Sequence, residues 1–265
     1  MKEPYMTKMY LKNIRLIMDA NMGDKQYCSH FNYHVFVIGY FLSQHLKKIK
    51  FETDGTFDSI CVVVGKDNIA GSILMRTLTV GVKFDSIKYD CMNESSRNEY
   101  YLDLMKRGIN LIAEKKMIPY AELNNLMKLL ANNRLLYKWT FKCLTLLERN
   151  IRAKFTCQLS PYDYTLSAEI VREDSGLLIG SGVVVRTKPD AIFFSHLSRK
   201  IYLANDKITI TSTWGIPLIH LELSDIINGF VLPYDCESPY PDDKQATQNF
   251  KRILHELHYD NENFI

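Results

Sequence analysis

The sequence predicts an α+β fold: largely antiparallel strands, two central helices (97–132) packed on the sheet, and a C-terminal helix. Three observations lead there. Period-two alternation of apolar and polar residues, the mark of a half-buried strand, recurs on both sides of residues 97–132. Between them Tyr101, Leu104, Met105, Gly108 and Ile112 follow the three-and-four spacing of a helix face. Arg97–Lys142 carries the only strong helical signal in the first 240 residues, and Ile118-Pro119 divides it. A residue before proline is pushed out of the helical region, whereas proline suits a first helical turn.

In order along the chain, Tyr10–Met18 reads as a first strand with Ile14, Leu16 and Met18 on one face. Asn21-Met22-Gly23-Asp24 turns the chain. Tyr33–Leu42 is apolar on alternate and intervening positions alike, which predicts a strand covered on both faces. Asp54-Gly55 leads into a covered strand at Ser59–Gly65, and Ser72–Val82 reads as the next strand. Phe-Asp-Ser-Ile occurs at 57–60 and again at 84–87, but the neighbouring residues differ and no repeat architecture follows.

Beyond Pro119 the second helix has an inner face of Leu123, Leu126, Met127 and Leu130. From Tyr137 the period returns to two, with Tyr137, Trp139, Phe141 and Cys143 against Lys138, Thr140 and Lys142. Ile151–Leu159 alternates most cleanly, and Ser160-Pro161-Tyr162-Asp163 turns it into Tyr164–Ile170. Strands at Leu177–Thr187, Ile201–Leu203, Ile208–Thr211 and Leu218–Leu223 complete a meander, with a short helix at Ala191–Leu197. The organisation expected is one domain over 1–232: a strand block at 1–90, helices at 97–132 and a meander at 137–223. Residues 233–265 are an acidic connector, rich in proline, and a closing helix with Phe250, Ile253, Leu254 and Leu257 on one face.

The 265 residues are 46% hydrophobic and 24% charged, ordinary for a folded globular chain. No apolar run approaches the roughly 20 residues that span a bilayer, and Met1-Lys2-Glu3-Pro4 has no signal-peptide core. The six cysteines are scattered without a CxxC pair, which points to buried free thiols and a cytoplasmic location. Net charge is +3, yet residues 1–50 carry +5 and residues 222–265 carry −6, a polarity able to steer a charged partner.

Chemistry is less legible. His255-Glu256-Leu257-His258 spaces its histidines three apart, where the zinc protease motif needs four. Cys28, His30 and His34 have ligand chemistry but lack the second pair that structural zinc uses, so no metal and no cofactor is expected. Gly180-Ser181-Gly182 flanks its serine directly and precedes a strand, which fits a bulge better than a nucleophile elbow. Lys138, Lys142, Arg152 and Lys154 fall on the polar sides of adjoining strands and form the candidate nucleic-acid face. Trp214 and the acidic, aromatic stretch with Asp235, Glu237, Tyr240, Asp242 and Asp243 form the candidate protein-binding surface. An enzyme reading remains open, because His34, His196 or His220 can meet a distant carboxylate in the fold.

The layout over residues 33–223, with helices following Phe-Asp-Ser-Ile-Lys-Tyr-Asp (84–90), resembles the immunity proteins of bacterial polymorphic toxin systems. That resemblance implies stoichiometric binding of one cognate toxin domain, and it carries over no site residue. The expectation is a non-enzymatic protein-binding protein. A hydrolase or transferase with a non-local histidine–carboxylate site is the alternative, and a nucleic-acid-binding module the third reading.

Overall fold

The computed structural model describes residues 8–66, 70–147, 150–190, 200–204, 207–211, 217–222 and 224. The fold is α+β, and antiparallel strand pairs prevail. The chain divides into two compact units, Met1–Tyr137 and Lys138–Ile265. The connector and closing helix expected at 233–265, and the short helix expected at 191–197, lie outside the described residues.

In the first unit β1 (Asn13–Met18) is followed by α1 (Lys25–Ile49), β2 (Ser59–Val64), β3 (Ala70–Leu74) and β4 (Thr77–Val82). Then come α2 (Ser86–Asp90), α3 (Glu94–Ala113) and α4 (Tyr120–Asn132). The sheet order is β1-β2-β4-β3, with β1–β2 and β2–β4 parallel and β3–β4 antiparallel. Three rows of partners, Ile14/Ile60/Leu78, Leu16/Val62/Val80 and Met18/Val64/Val82, share one face and are all buried. Covering those nine side chains stabilises the unit, at about 25 cal/mol per Å² of apolar surface removed from water. Helix α3 packs on β4, β2 and β3, and its Gly108 lies directly over Val62.

Two expectations need correction. Tyr33–Leu42 is the middle of helix α1 and not a strand. Its apolar residues surround the helix, and Val35, Val37, Ile38 and Leu42 are wholly buried. A helix buried on nearly every side and a strand covered on both faces have the same continuous apolar run. What separates them lies outside the run: Asp24 accepts a hydrogen bond from the Tyr27 N–H (2.8 Å), and Lys47 and Lys48 close the last turn. Because α1 carries the chain back across the sheet, β1 and β2 run parallel, so 1–90 is a β-α-β unit and not a block of strands.

Residues 72–82 are likewise two strands and not one. They turn at Met75 (φ 47°) and Arg76 (φ 63°), both left-handed. Two-residue hairpins of this kind ordinarily use Asn-Gly, and neither residue type stands here. The helices at 94–113 and 120–132 and the strand at 59–64 fall where the sequence places them.

Helix α1 also closes one edge of the sheet. The Ile14 N–H donates to Ser43 Oγ (3.0 Å), the Ser43 hydroxyl donates to the Ile14 carbonyl (3.2 Å), and the Met18 N–H donates to Asn32 Oδ1 (2.8 Å). Three outward backbone groups of β1 are thereby satisfied, which is one way native sheets blunt an edge.

In the second unit β5 (Tyr137–Leu146), β6 (Ile151–Leu159), β7 (Tyr164–Arg172) and β8 (Leu178–Thr187) form one sheet in sequence order. Strands β9 (Lys200–Ala204), β10 (Lys207–Thr211) and β11 (Pro217–Glu222) form a second, ordered β11-β10-β9. The alternation in β6 is realised residue by residue: Ile151, Ala153, Phe155, Cys157 and Leu159 are buried, and Arg152 and Lys154 are exposed. The β6–β7 turn is held by Asp163, whose Oδ1 accepts from the Ser160 hydroxyl (2.7 Å). Its Oδ2 accepts from Nε (2.8 Å) and pairs with Nη2 (2.7 Å) of Arg186. Asp163→Ala is expected to cost about 2 kcal/mol, since it leaves a half-buried guanidinium without its carboxylate. A urea midpoint unchanged from that of the parent chain is the result that would contradict this.

Candidate functional site

The three parallel strands end on the same side of the first sheet, and the side chains with the most chemistry gather near there. In open parallel sheets, ligand sites lie beyond the carboxyl ends of the strands. Helix α1 begins seven positions after β1 ends, so Tyr27, His30, Phe31 and His34 share a helix face close to that end. Asp85 caps α2 through the Lys88 N–H (2.9 Å), and Asn93 caps α3 through the Ser96 N–H (2.9 Å). These caps aim Tyr89 from α2, and Arg97 and Tyr101 from α3, at that face of α1.

The result is a buried hydrogen-bonded chain. His34 Nδ1 lies 3.0 Å from the Tyr101 hydroxyl, which lies 2.7 Å from the Tyr89 hydroxyl. The Arg97 guanidinium sits 5.0 Å from the centre of the Tyr89 ring and donates to the carbonyls of Tyr89 and Asp90, at 3.4 Å each. The His30 and His34 rings lie 4.2 Å apart, and the Tyr27 hydroxyl donates to Asp90 Oδ1 (3.2 Å). Burial, then the neighbouring His30 and Arg97, push His34 down to about 4. Burial, then Arg97, lowers His30 as well.

This arrangement suits structure better than acid–base catalysis. The charges acting on His34 are cationic, and a carboxylate that would raise its basicity is not what sets its state. A catalytic acid or base works best with a pKa near the operating pH. Three cysteines fit the same account, whereas Cys91 and Cys143 are exposed and not the buried thiols expected. Burial raises Cys61, and it pushes Cys157 up to about 11, so neither is a ready thiolate. Cys28 is buried, with its Sγ 3.6 Å from the Asp19 carbonyl. Among the described residues no three His, Cys, Asp or Glu side chains converge to hold a metal ion.

The other notable surface is the β3–β4 hairpin. Strand β3 is the outer strand of its sheet, Ser72 and Ile73 are exposed, and Leu74 (72%) and Met75 (91%) stand almost fully in water. No charge and no proline occurs in Ala70–Leu74, the devices that usually protect an outer strand. At the other end of β4, remote from the hairpin tip, Val82 and Lys83 with Arg107, Asn110 and Leu111 of α3 line a cavity of about 310 Å³.

Of the residues singled out by the sequence, Lys138 and Lys142 are exposed on β5. Trp139 points to the opposite side, its ring 6.2 Å from that of buried Tyr164. Arg152 pairs with Glu173 (3.4 Å), just past β7, and Lys154 with Glu169 (3.9 Å) on β7, so these carboxylates offset half of the basic face. Trp214, Asp235, Glu237, Tyr240, Asp242, Asp243 and His196 lie outside the described residues, as does the side chain of His220. Sequence reasoning missed Leu74 and Met75. The available signal was Ile73-Leu74-Met75, three apolar residues in a row, which no alternating strand can hide on one face.

Fold and surface together define an α+β protein whose β3–β4 hairpin has an exposed apolar tip. No family model, curated protein or solved structure matches the chain.

Proposed function

We propose that this chain is a non-enzymatic binding protein that acts by stoichiometric association with a protein partner, and that the β3–β4 hairpin is part of its contact surface. The observation that carries this is the hairpin tip: Leu74 and Met75 exposed side by side, with Met75 and Arg76 both in left-handed backbone. A non-glycine residue held there costs about 1 kcal/mol or more, and such strain concentrates at functional positions. Exposed apolar side chains beside an open strand edge suit recognition by strand addition. The resemblance of the sequence's layout to that of immunity proteins makes a toxin domain the first partner to try.

The test uses the strain itself. Replacing Met75-Arg76 by Asn-Gly relieves the turn and removes the exposed methionine. The variant is expected to unfold at a higher urea concentration, by about 1–2 kcal/mol, yet to bind the partner about tenfold more weakly in titration calorimetry. Affinity equal to that of the parent chain would remove the hairpin from the interface. Binding that falls steeply with added salt and needs nucleic acid would favour the Lys138/Lys142 face instead.

A further inference from the structure

We infer that the cavity at the carboxyl end of β4 binds a small organic acid, an apolar body carrying one carboxylate. The site is built from two elements of the first unit. β4 pairs in parallel with β2 and ends at Val82, and Lys83 follows where the chain leaves the strand. On α3, Arg107, Asn110 and Leu111 stand three and four residues apart and share one helix face. These residues line a cavity of about 310 Å³. Small-molecule sites begin at about 300 Å³, and in sheets of parallel strands they lie beyond the strands' carboxyl ends.

The lining selects the ligand. Val82 is buried and Leu111 half-buried, and both are aliphatic, which suits an apolar body. Arg107 is already committed: its Nε lies 3.0 Å from Asp103 Oδ2, and its guanidinium sits 5.9 Å from the centre of the Tyr100 ring. It forms a wall of the cavity and is not the ligand's partner. Asn110 Oδ1 accepts from the Tyr120 hydroxyl (2.8 Å), which fixes the amide and leaves its Nδ2 amino group as a donor. Lys83 is exposed and makes no ion pair among the described residues. The polar groups still available are therefore both donors, and one of them is charged. No lining residue is acidic. A ligand that meets an ammonium, an amide N–H and two aliphatic side chains is one with negatively charged acceptor oxygens on an apolar body. A charge-assisted hydrogen bond from Lys83 supplies the selectivity.

The test titrates the full chain with benzoate and benzamide, which share a ring and differ in charge, and follows its amide resonances. Benzoate is expected to bind about tenfold more tightly than benzamide, with shift changes centred on residues 82–83 and 107–111. Lys83→Gln, at an exposed position, should erase that preference, and Lys83→Arg should keep it. Asn110→Asp retains the oxygen that Tyr120 needs and should expel benzoate while leaving benzamide bound. Equal affinity of the parent chain for the two compounds overturns the inference. So does a preference that survives in Lys83→Gln, or failure of both compounds to bind at millimolar concentration. The hairpin takes no part: replacing Met75-Arg76 by Asn-Gly should leave benzoate binding unchanged, so this inference and the protein-binding reading fail separately.

Discussion

Acidification from pH 6.5 to about 4 is expected to remove about 3 kcal/mol of folding stability through His34 alone. The sign follows from which state takes the proton. In the unfolded chain His34 protonates near 6.5, whereas in the fold it stays neutral down to about 4. Across that interval the unfolded state binds more protons, so stability rises with pH there; the contribution is complete above 6.5 and gone below 4. Burial is the main cause, and His30 and Arg97 add to it because a charged His34 would face both. His30 is lowered by the same surroundings and steepens the slope in the same direction. His34→Gln keeps a polar atom for the Tyr101 hydroxyl and removes the titration. Urea unfolding near pH 7 and about pH 4.5 should give a visibly shallower dependence for this variant. Parallel slopes for parent and variant would mean that His34 is not held neutral.

Alanine at Gly39 or Gly108 is expected to destabilise the first unit by about 1–3 kcal/mol each, despite the better helix propensity of alanine. A Cβ on Gly39 would stand 2.9 Å from the Ile14 carbonyl oxygen and 3.2 Å from Arg15 Cα. Those are backbone atoms of β1, the strand whose edge α1 covers, and they cannot move without disturbing the ladder to β2. A Cβ on Gly108 would stand 2.5 Å from both γ carbons of Val62. There the obstacle is a side chain, so the two sites should respond differently to a second change. Gly108→Ala with Val62→Ala should cost clearly less than the two single changes added together. No trimming of β1 side chains should rescue Gly39→Ala. Strict additivity at Gly108, or rescue at Gly39 by Arg15→Ala, would show that the helix spacing is set elsewhere.

The sequence was most informative where one face of an element is wet. β6 and β7 could be read residue by residue, because water on one side imposes a strict period of two. α3 and α4 were legible for the corresponding reason, with a buried stripe and an exposed one. α1 failed that test, since Phe36 and Tyr40 continue the apolar character around the helix and pack ring to ring at 5.7 Å. The candidate surface was hidden for a different reason. Nothing in Met75-Arg76 announces a turn, and the chain reverses there because β3 and β4 pair, at a cost in backbone strain.

The sequence by itself determined the α+β class, the meander at 137–187 and the position of most strands, because those follow from local alternation between water and core. Only the tertiary structure decided that β1 and β2 run parallel, that His34 meets Tyr101, and that Leu74 and Met75 face water. Each of these depends on which distant segment lies alongside, and hydrophobic burial, being non-directional, leaves no trace of that choice in residue spacing.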